Sequence, residues 1–401
     1  MRGNYYIGKV FFQLNNSHRK KWLLLEGSAL NNCKLSFQKI FLNWLLLICD
    51  SADGIKPFRR PAPNMPDVLD VPSCDACGHD AILHQIYSGR TLCGEHLAKS
   101  VRKRVSKSLR KQLELPRQKK EGEKTTILVA ISGGKDSAVL LSFIHHLLHK
   151  RRDVVIVAGV VDEGIDGYRS PSMDCAQELC DELGVKLERV SYSELGFEEM
   201  DVVVEHLPNI QSRNSVAKGM APCSFCGVFR RQGIIHLAKR VNASVVALGH
   251  NLDDMAQSVL MNMQKADLDR TLRLAPHTTT PLAGMTPRIV PLRWVPEREI
   301  HAYAMYKNLP FFHGDCPYAK GALRQRHRDF VGSMEEDVPG SMHGLLHSAD
   351  RIKELYAQIP NENVTGISPI RECIRCGSIT SAEVCKACEM MDWVRDSTNP
   401  Q

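Results

Sequence analysis

The chain has 401 residues, 43% of them apolar and 24% charged, with a formal net charge of +7. Such a composition sets aside the disordered and fibrous classes and leaves a globular protein with one large core or two to three smaller ones. The mild basic excess fits a nucleic-acid partner but equally a solvated surface, so the distribution of charge matters more than its sum.

Residues 1–72 read as a poorly defined extension and linker. Within them IFLNWLLLIC, 40–49, is apolar but for Asn43, and it is too short to span a bilayer and too far from the start for a secretory signal. No membrane association is expected. The proline-rich stretch 58–72 marks a boundary. The segment 73–120 opens with Cys74-x2-Cys77-x15-Cys93-x2-His96, a Cys₃His spacing suited to tetrahedral zinc, with His79 and His84 as possible substitute ligands. A helix follows, because Leu97, Val101, Val105, Leu109 and Leu113 recur every four residues and form one apolar stripe. Its other faces carry Arg102, Lys103, Arg104, Lys107, Arg110 and Lys111. Such a row either tracks RNA phosphates or is simply a solvated helix face.

From 121 to 340, strands alternate with helices. The strands are expected over 125–132, 154–162, 186–191, 243–250 and 288–295, and the helices over 135–150, 173–183, 223–240, 253–263 and 297–308. Strands apolar throughout, separated by helices, indicate an α/β fold with a doubly wound parallel sheet covered on both faces. Cys175 and Cys180 lie five apart within one expected helix, share no face, and read as buried. The C-terminal segment, 341–401, carries Cys373-x2-Cys376-x8-Cys385-x2-Cys388, a second zinc spacing. Closed four-ligand sites are structural and fold small modules that lack a core of their own. Fourteen cysteines, many of them spaced as metal ligands, point to a reducing, cytosolic compartment.

Where the first strand meets the first helix of the core stands Ala130-Ile-Ser-Gly-Gly-Lys-Asp-Ser137. Two glycines permit a tight turn and bring backbone N–H groups close to an anion. Ser137 and the first helical turn add donors at the positive end of the helix dipole. A plain structural turn is the alternative. The spacing is not that of a Walker A loop. Further on, Cys223 and Cys226 share one turn at a helix start, and Cys316 follows in GDCPYA. Three thiolates can hold a 4Fe-4S cluster with one iron left open. They can equally form a persulfide-carrying redox set activated by the helix N-terminus, or be buried small hydrophobes. Arg230 and Arg231 on the same helix can steady a cluster's charge, substrate phosphates, or both.

The hexapeptide resembles the SGGxDS loop of the PP-loop ATP pyrophosphatase superfamily. Together with Gly249-His-Asn-Leu-Asp-Asp254, the three core cysteines and the two terminal modules, the chain resembles the tRNA 2-thiolation enzymes, the TtuA and NcsA-like group, from about Cys74 to Trp393. That resemblance implies cleavage of ATP between its α and β phosphates. The uridine C2 oxygen is adenylylated, and sulfur then displaces AMP to leave 2-thiouridine. It implies ATP held by Ala130, Ser132, Gly133, Gly134, Lys135, Asp136, Ser137, Val160, Asp162, Gly249 and Asp254. Lys135 would neutralise the departing pyrophosphate. Asp136 with Asp254 or Asp253 would hold Mg²⁺, although Asp253 also reads as the N-cap of the helix after it. Asp162 falls at the carboxyl edge of the sheet, where such folds bind ligands, and the adenine is expected along 159–161.

The same resemblance implies an open 4Fe-4S cluster on Cys223, Cys226 and Cys316, so that the cofactors are ATP, Mg²⁺, one cluster and two Zn²⁺. The expected partners are tRNA, entering with a flipped uridine, and a sulfur donor, either sulfide or a ubiquitin-like thiocarboxylate protein. Relatives suggest a homodimer, and the paired terminal modules favour the wobble uridine. Two other readings compete. A lysidine-synthase-like ligase shares SGGxDS but needs no cysteine triplet. An RNA-binding scaffold with a vestigial nucleotide site does not account for an intact Ser132–Ser137 loop.

Overall fold

The computed structural model describes residues 9–16, 19–26, 71–115, 124–277, 285–319, 323–359 and 371–398. The apolar run at 40–49, most of the linker and the end of the basic stretch lie outside them. The chain divides into two units, 1–72 and 73–401. In the first, β1 (Lys9–Asn16) and β2 (Arg19–Glu26) pair as an antiparallel hairpin.

The second unit opens with a small hairpin, β3 (Leu83–Gln85) against β4 (Arg90–Leu92), followed by α1 (Gly94–Gln112). Then come β5 (Thr125–Ala130), α2 (Lys135–Leu148), β6 (Val154–Asp162), α3 (Arg169–Leu183) and β7 (Lys186–Ser191). Next are α4 (Met200–Arg213), α5 (Pro222–Arg240), β8 (Val245–Ala247), α6 (Leu252–Gln264), α7 (Leu268–Leu272), β9 (Arg288–Ile289) and α8 (Glu297–Tyr306). The chain closes with α9 (Leu323–Asp337), α10 (Ser341–Tyr356), a two-residue pairing of β10 (Arg371–Glu372) with β11 (Ile379–Thr380), and α11 (Lys386–Thr398).

Strands β5 to β9 form one parallel sheet in the order β7-β6-β5-β8-β9. The strand side chains alternate between two cores, as the pleat requires. Ile127, Val129, Ala158 and Val160 face α1, α2 and α8. Leu128, Val157 and Val161 face α4, α5 and the C-terminal cysteine module. The chain leaves β5 towards β6 and later returns to β8 on the other side, so the β5/β8 gap is the switch point where such folds bind ligands. The doubly wound architecture read from the apolar strand runs is therefore what forms.

Three strands are shorter than expected, β5 by the two residues that enter the turn after it. The run 288–295 pairs only over Arg288–Ile289, because Pro291 has no N–H to offer a ladder and the chain turns through Arg293 N–H to Val290 C=O. Residues 248–250 leave β8 to enter α6. Helix α4 was hidden by Pro208 within it, a residue that argues against a helix interior.

Helix α1 buries the expected stripe, Leu97, Val101, Val105 and Leu109. Arg102, Lys103, Lys107, Arg110 and Lys111 are exposed. Arg104 departs from the row. It turns inward to pair with the buried Glu299 of α8 and donates to the Trp294 carbonyl at 3.2 Å. Gln85 also donates to Glu299, at 3.0 Å, and Gln112 exchanges two hydrogen bonds with the backbone of Val290, at 3.2 and 2.7 Å. This polar seam fixes the N-terminal module on the sheet layer.

Glu299→Ala takes from Arg104 and Gln85 the acceptor they share, and removing one partner of a buried pair costs about 3–5 kcal/mol. The expected result is a lower urea midpoint at an unchanged m-value. An unchanged midpoint would show that the seam contributes nothing to stability.

Candidate nucleotide and cysteine site

Ile131 leaves β5 with its N–H on the Gly159 carbonyl, 2.9 Å away. Ser132 and Ser137 then close the turn on itself. The Ser132 N–H donates to Ser137 Oγ at 3.1 Å, Ser137 Oγ to the Gly134 carbonyl at 2.9 Å, and the Gly134 N–H to Ser132 Oγ at 3.3 Å. Gly133 has φ 82°, in the region that favours glycine, and a Cβ there would lie 1.8 Å from the Ser172 carbonyl oxygen of α3. Gly134 is the N-cap of α2, so the loop runs straight into a helix N-terminus, a place that attracts phosphate.

Across the switch point, Asn251 caps α6 and forms a reciprocal capping box with Asp254. The cap expected at Asp253 is thus Asn251. Asp253 serves a different helix, its carboxylate accepting the Glu297 N–H at the start of α8 at 2.7 Å. Asn251 also donates to Asp136 Oδ1 at 3.0 Å, joining the two sides of the gap. Lys135 Nζ lies 3.1 Å from Asp136 and 2.7 Å from Glu297, and Arg328 sits 3.0 Å from Glu297. Burial opposes the Lys135 charge, but Asp136 and Glu297 outweigh it and hold its pKa above the ordinary value. Burial pushes the Asp253 carboxyl up to about 6 and that of Asp136 upward despite Lys135. Gly249 packs against the backbone of Asp136 and Ser137, where a Cβ would approach to 3.4 Å.

The carboxylates gather here but do not converge. Among the described residues, only two groups bring three or more potential ligand atoms within 4.8 Å of one another, and both are the cysteine modules. Asp162 shapes the turn after β6 by accepting the Gly164 N–H at 3.0 Å. The Val160 side chain is wholly buried in the core, so only its backbone reaches the edge.

Cys223 and Cys226 sit in the first turn of α5, and Cys316 precedes a short 3-10 turn at Pro317–Ala319. The three thiols act on one another electrostatically, and burial is the main cause that raises those of Cys223 and Cys316. Arg230 donates to Cys226 Sγ at 3.2 Å, and Tyr192 Oη to the Cys226 carbonyl at 2.9 Å. Tyr318 ties the Cys316 segment to α4 by donating to Asp201 at 2.6 Å. Sequence reasoning missed Glu163, Arg169, Asn251, Glu297 and Arg328. Glu163 and Arg169 lie just beyond the expected end of the second strand. Glu297 opens an expected helix, where an acid is unremarkable. Cys180 is fully buried, as expected, and Cys175 half-buried.

Both terminal tetrads are assembled. Cys77 and Cys93 sulfurs are 3.7 Å apart, with His96 Nδ1 at 3.7 Å from Cys74 and 3.3 Å from Cys93. His84 bonds Thr91 instead, and His79 touches Cys77 from outside the tetrad. In the second, Cys376 and Cys385 are 3.5 Å apart and Cys373 and Cys388 4.0 Å.

Residues 103–334 match the family model of the PP-loop domain. The chain is 35% identical over 328 residues to the tRNA 2-thiolation protein NcsA of Haloferax volcanii, covering 80% of this chain and 98% of that protein. It is 34% identical over 331 residues to cytoplasmic tRNA 2-thiolation protein 1 of Anopheles gambiae, covering 81% and 89%. Among solved structures it resembles the U34-tRNA thiolase NcsA from Methanococcus maripaludis with its [4Fe-4S] cluster, with a TM-score of 0.60 and 29% identity over 73% of this chain and 91% of that one.

Gly133→Ala sets a methyl against the Ser172 backbone and forces an unfavourable φ, a strain of about 1–3 kcal/mol. Calorimetric titration with ATP is expected to show binding weakened more than about tenfold, with a lower unfolding midpoint. Wild-type affinity would mean that the turn does not form the phosphate site.

Proposed function

The chain belongs to the PP-loop tRNA 2-thiolation proteins, and from that membership we propose that it converts the wobble uridine of a tRNA to 2-thiouridine at the expense of ATP cleaved to AMP and pyrophosphate. The observation that carries this reading is the meeting of the amide-lined turn and the three core cysteines at one sheet edge, where the Phe312 N–H of the segment leading to Cys316 bonds the Gly133 carbonyl at 2.8 Å.

The Ser132–Ser137 amides and the α2 N-terminus hold the triphosphate. Lys135 exchanges its carboxylate partners for phosphate oxygens and offsets the charge that builds on the bridging oxygen. The uridine O2 attacks the α-phosphorus, the O2–P bond forms as the α–β bridge breaks, and pyrophosphate leaves. Sulfur at the sulfide level then adds to C2, and the C2–O bond breaks to release AMP with the former uridine oxygen. Proximity supplies most of the rate, as expected where positioning and electrostatics dominate phosphoryl chemistry. Asp136 and Asp254 would hold a hard divalent cation, which would offset the charge of the phosphates.

The donor set of Cys223, Cys226 and Cys316, with Arg230 supplying a cation at Cys226, fits a 4Fe-4S cluster. Cys223, Cys226 and Cys316 would hold such a cluster, which would supply a Lewis-acidic iron for sulfide-level sulfur. The two tetrads suit structural zinc. Sulfide or the thiocarboxylate of a ubiquitin-like carrier supplies the sulfur. The exposed cations of α1 supply phosphate contacts, and the site of action is the cytoplasm.

Anaerobically purified protein should hold about two zinc and about three to four iron per chain. Cys316→Ser should lose the iron and the thiolation and keep the zinc. Zinc without iron after anaerobic reconstitution would overturn the cluster and favour either a cysteine persulfide charged by a sulfane-sulfur donor or lysidine-type ligation. Lys135→Ala should keep both metals while thiolation of unmodified tRNA, read by mass spectrometry, falls by about 10²–10³-fold. Undiminished thiolation would remove Lys135 from the mechanism.

A further inference from the structure

Glu163 stands one residue past β6, is 1% exposed, and faces two guanidinium groups. Arg169 Nε lies 2.6 Å from one carboxylate oxygen and Arg230 Nε 2.6 Å from the other. Each arginine is engaged elsewhere. Arg169, itself 4% exposed, donates to the Ser132 carbonyl at 2.9 Å and to the Val161 carbonyl at 2.5 Å, so it braces the nucleotide turn from behind. Arg230 reaches the Cys226 sulfur at 3.2 Å. A single buried acid is thus shared between the support of the phosphate loop and the cation on the sulfur site.

A shared charge in a low-dielectric place is bistable in strength. Whatever draws Arg230 towards the cysteines frees Glu163 to hold Arg169 more tightly, and the reverse also holds. We propose that Glu163 is a positioning residue that makes filling of the nucleotide loop and filling of the cysteine site mutually dependent through Arg169 and Arg230. An anionic load on the thiolates engages Arg230, Glu163 then fixes Arg169, and the Ser132 turn is held in its phosphate-binding shape. By linkage, nucleotide in the loop favours the loaded cysteine site by the same factor. ATP therefore binds best when sulfur is in place, and the cysteine site loads best when ATP is bound. This rests on the nucleotide-and-sulfur reading above.

The test is a double-mutant cycle on the full chain, read as the Kd of the α,β-methylene analogue of ATP, with iron and zinc measured on the same anaerobic samples. Glu163→Gln keeps the shape and removes the charge, and should weaken the analogue about tenfold. Arg230→Gln gives Glu163 wholly to Arg169 and should tighten it a few-fold, about three to five. In the Glu163→Gln background, Arg230→Gln should change nothing. A merely structural role would weaken binding in both single variants, with effects that add. Either that pattern, or an Arg230→Gln effect that survives in the double variant, overturns the proposal. Glu163→Gln should also lower the unfolding midpoint, so every Kd is measured well below the midpoint of its variant, and Arg230→Lys, which restores the cation, should return the Kd towards wild type. Iron or thiolation missing from the wild type would instead overturn the reading of the cysteine site, and the cycle would still be decided by its own numbers.

Discussion

How closely α3 approaches the turn after β5 governs the whole nucleotide edge. The Ser172 carbonyl occupies the space that any side chain at position 133 would need. The turn can be built only with glycine there, and only in the left-handed region. Because that backbone is pinned from behind, the turn keeps one shape, with the Ser132 and Gly134 N–H groups held by serine hydroxyls, and α2 starts directly from it. Arg169, from the first turn of α3, holds the carbonyls of Ser132 and Val161 together. The β5 and β6 ends thereby behave as one rim. Steric crowding fixes the loop and a buried guanidinium locks it, so the shape of the turn is set by the protein alone.

The rim is electrically mixed rather than simply positive. Lys135, on the face of the gap, sits among Asp136 and Glu297, and Glu297 is shared with Arg328. Burial raises the Asp136 and Asp253 carboxyls, which means that they are held at some cost in their charged form. Under the proposed function, a triphosphate with a divalent cation would meet both needs by giving Lys135 anionic partners and the acids a cation. The capping box of α6 contributes as well, because Asn251 orients Asp136 from across the switch point. The helix cap and the nucleotide site are therefore one piece of structure.

Much of this was legible in the sequence because it is local. Apolar strand runs, the SGGKDS hexapeptide, the α1 stripe and the two cysteine spacings each lie within a short window, and each was found where it stands. What escaped depends on distance along the chain. Glu163 reads as an acid in a loop until Arg230 arrives from α5. Arg104 reads as one more cation on a basic face until Glu299 is brought to it. Glu297 reads as a favourable acid at a helix start, and only folding sets it on Lys135. The failed strand at 290–295 has the opposite cause. Its apolar residues are buried as expected, but Pro291 denies them a ladder, so hydrophobicity was read correctly and backbone pairing was not.

The polar seam of the N-terminal module has a consequence in time. The hairpin and tetrad of 74–96 close over short separations, but the partner of Arg104 lies 195 residues further along the chain. At synthesis rates of about 5–20 residues per second, that separation is roughly 10–40 s of translation. Throughout that interval α1 emerges with its apolar stripe uncovered and with a cation and an amide awaiting acceptors. During its making, the nascent chain therefore presents a sticky amphipathic helix that the finished protein conceals. The ribosome-bound stage, rather than the folded enzyme, is where this module is most in need of protection.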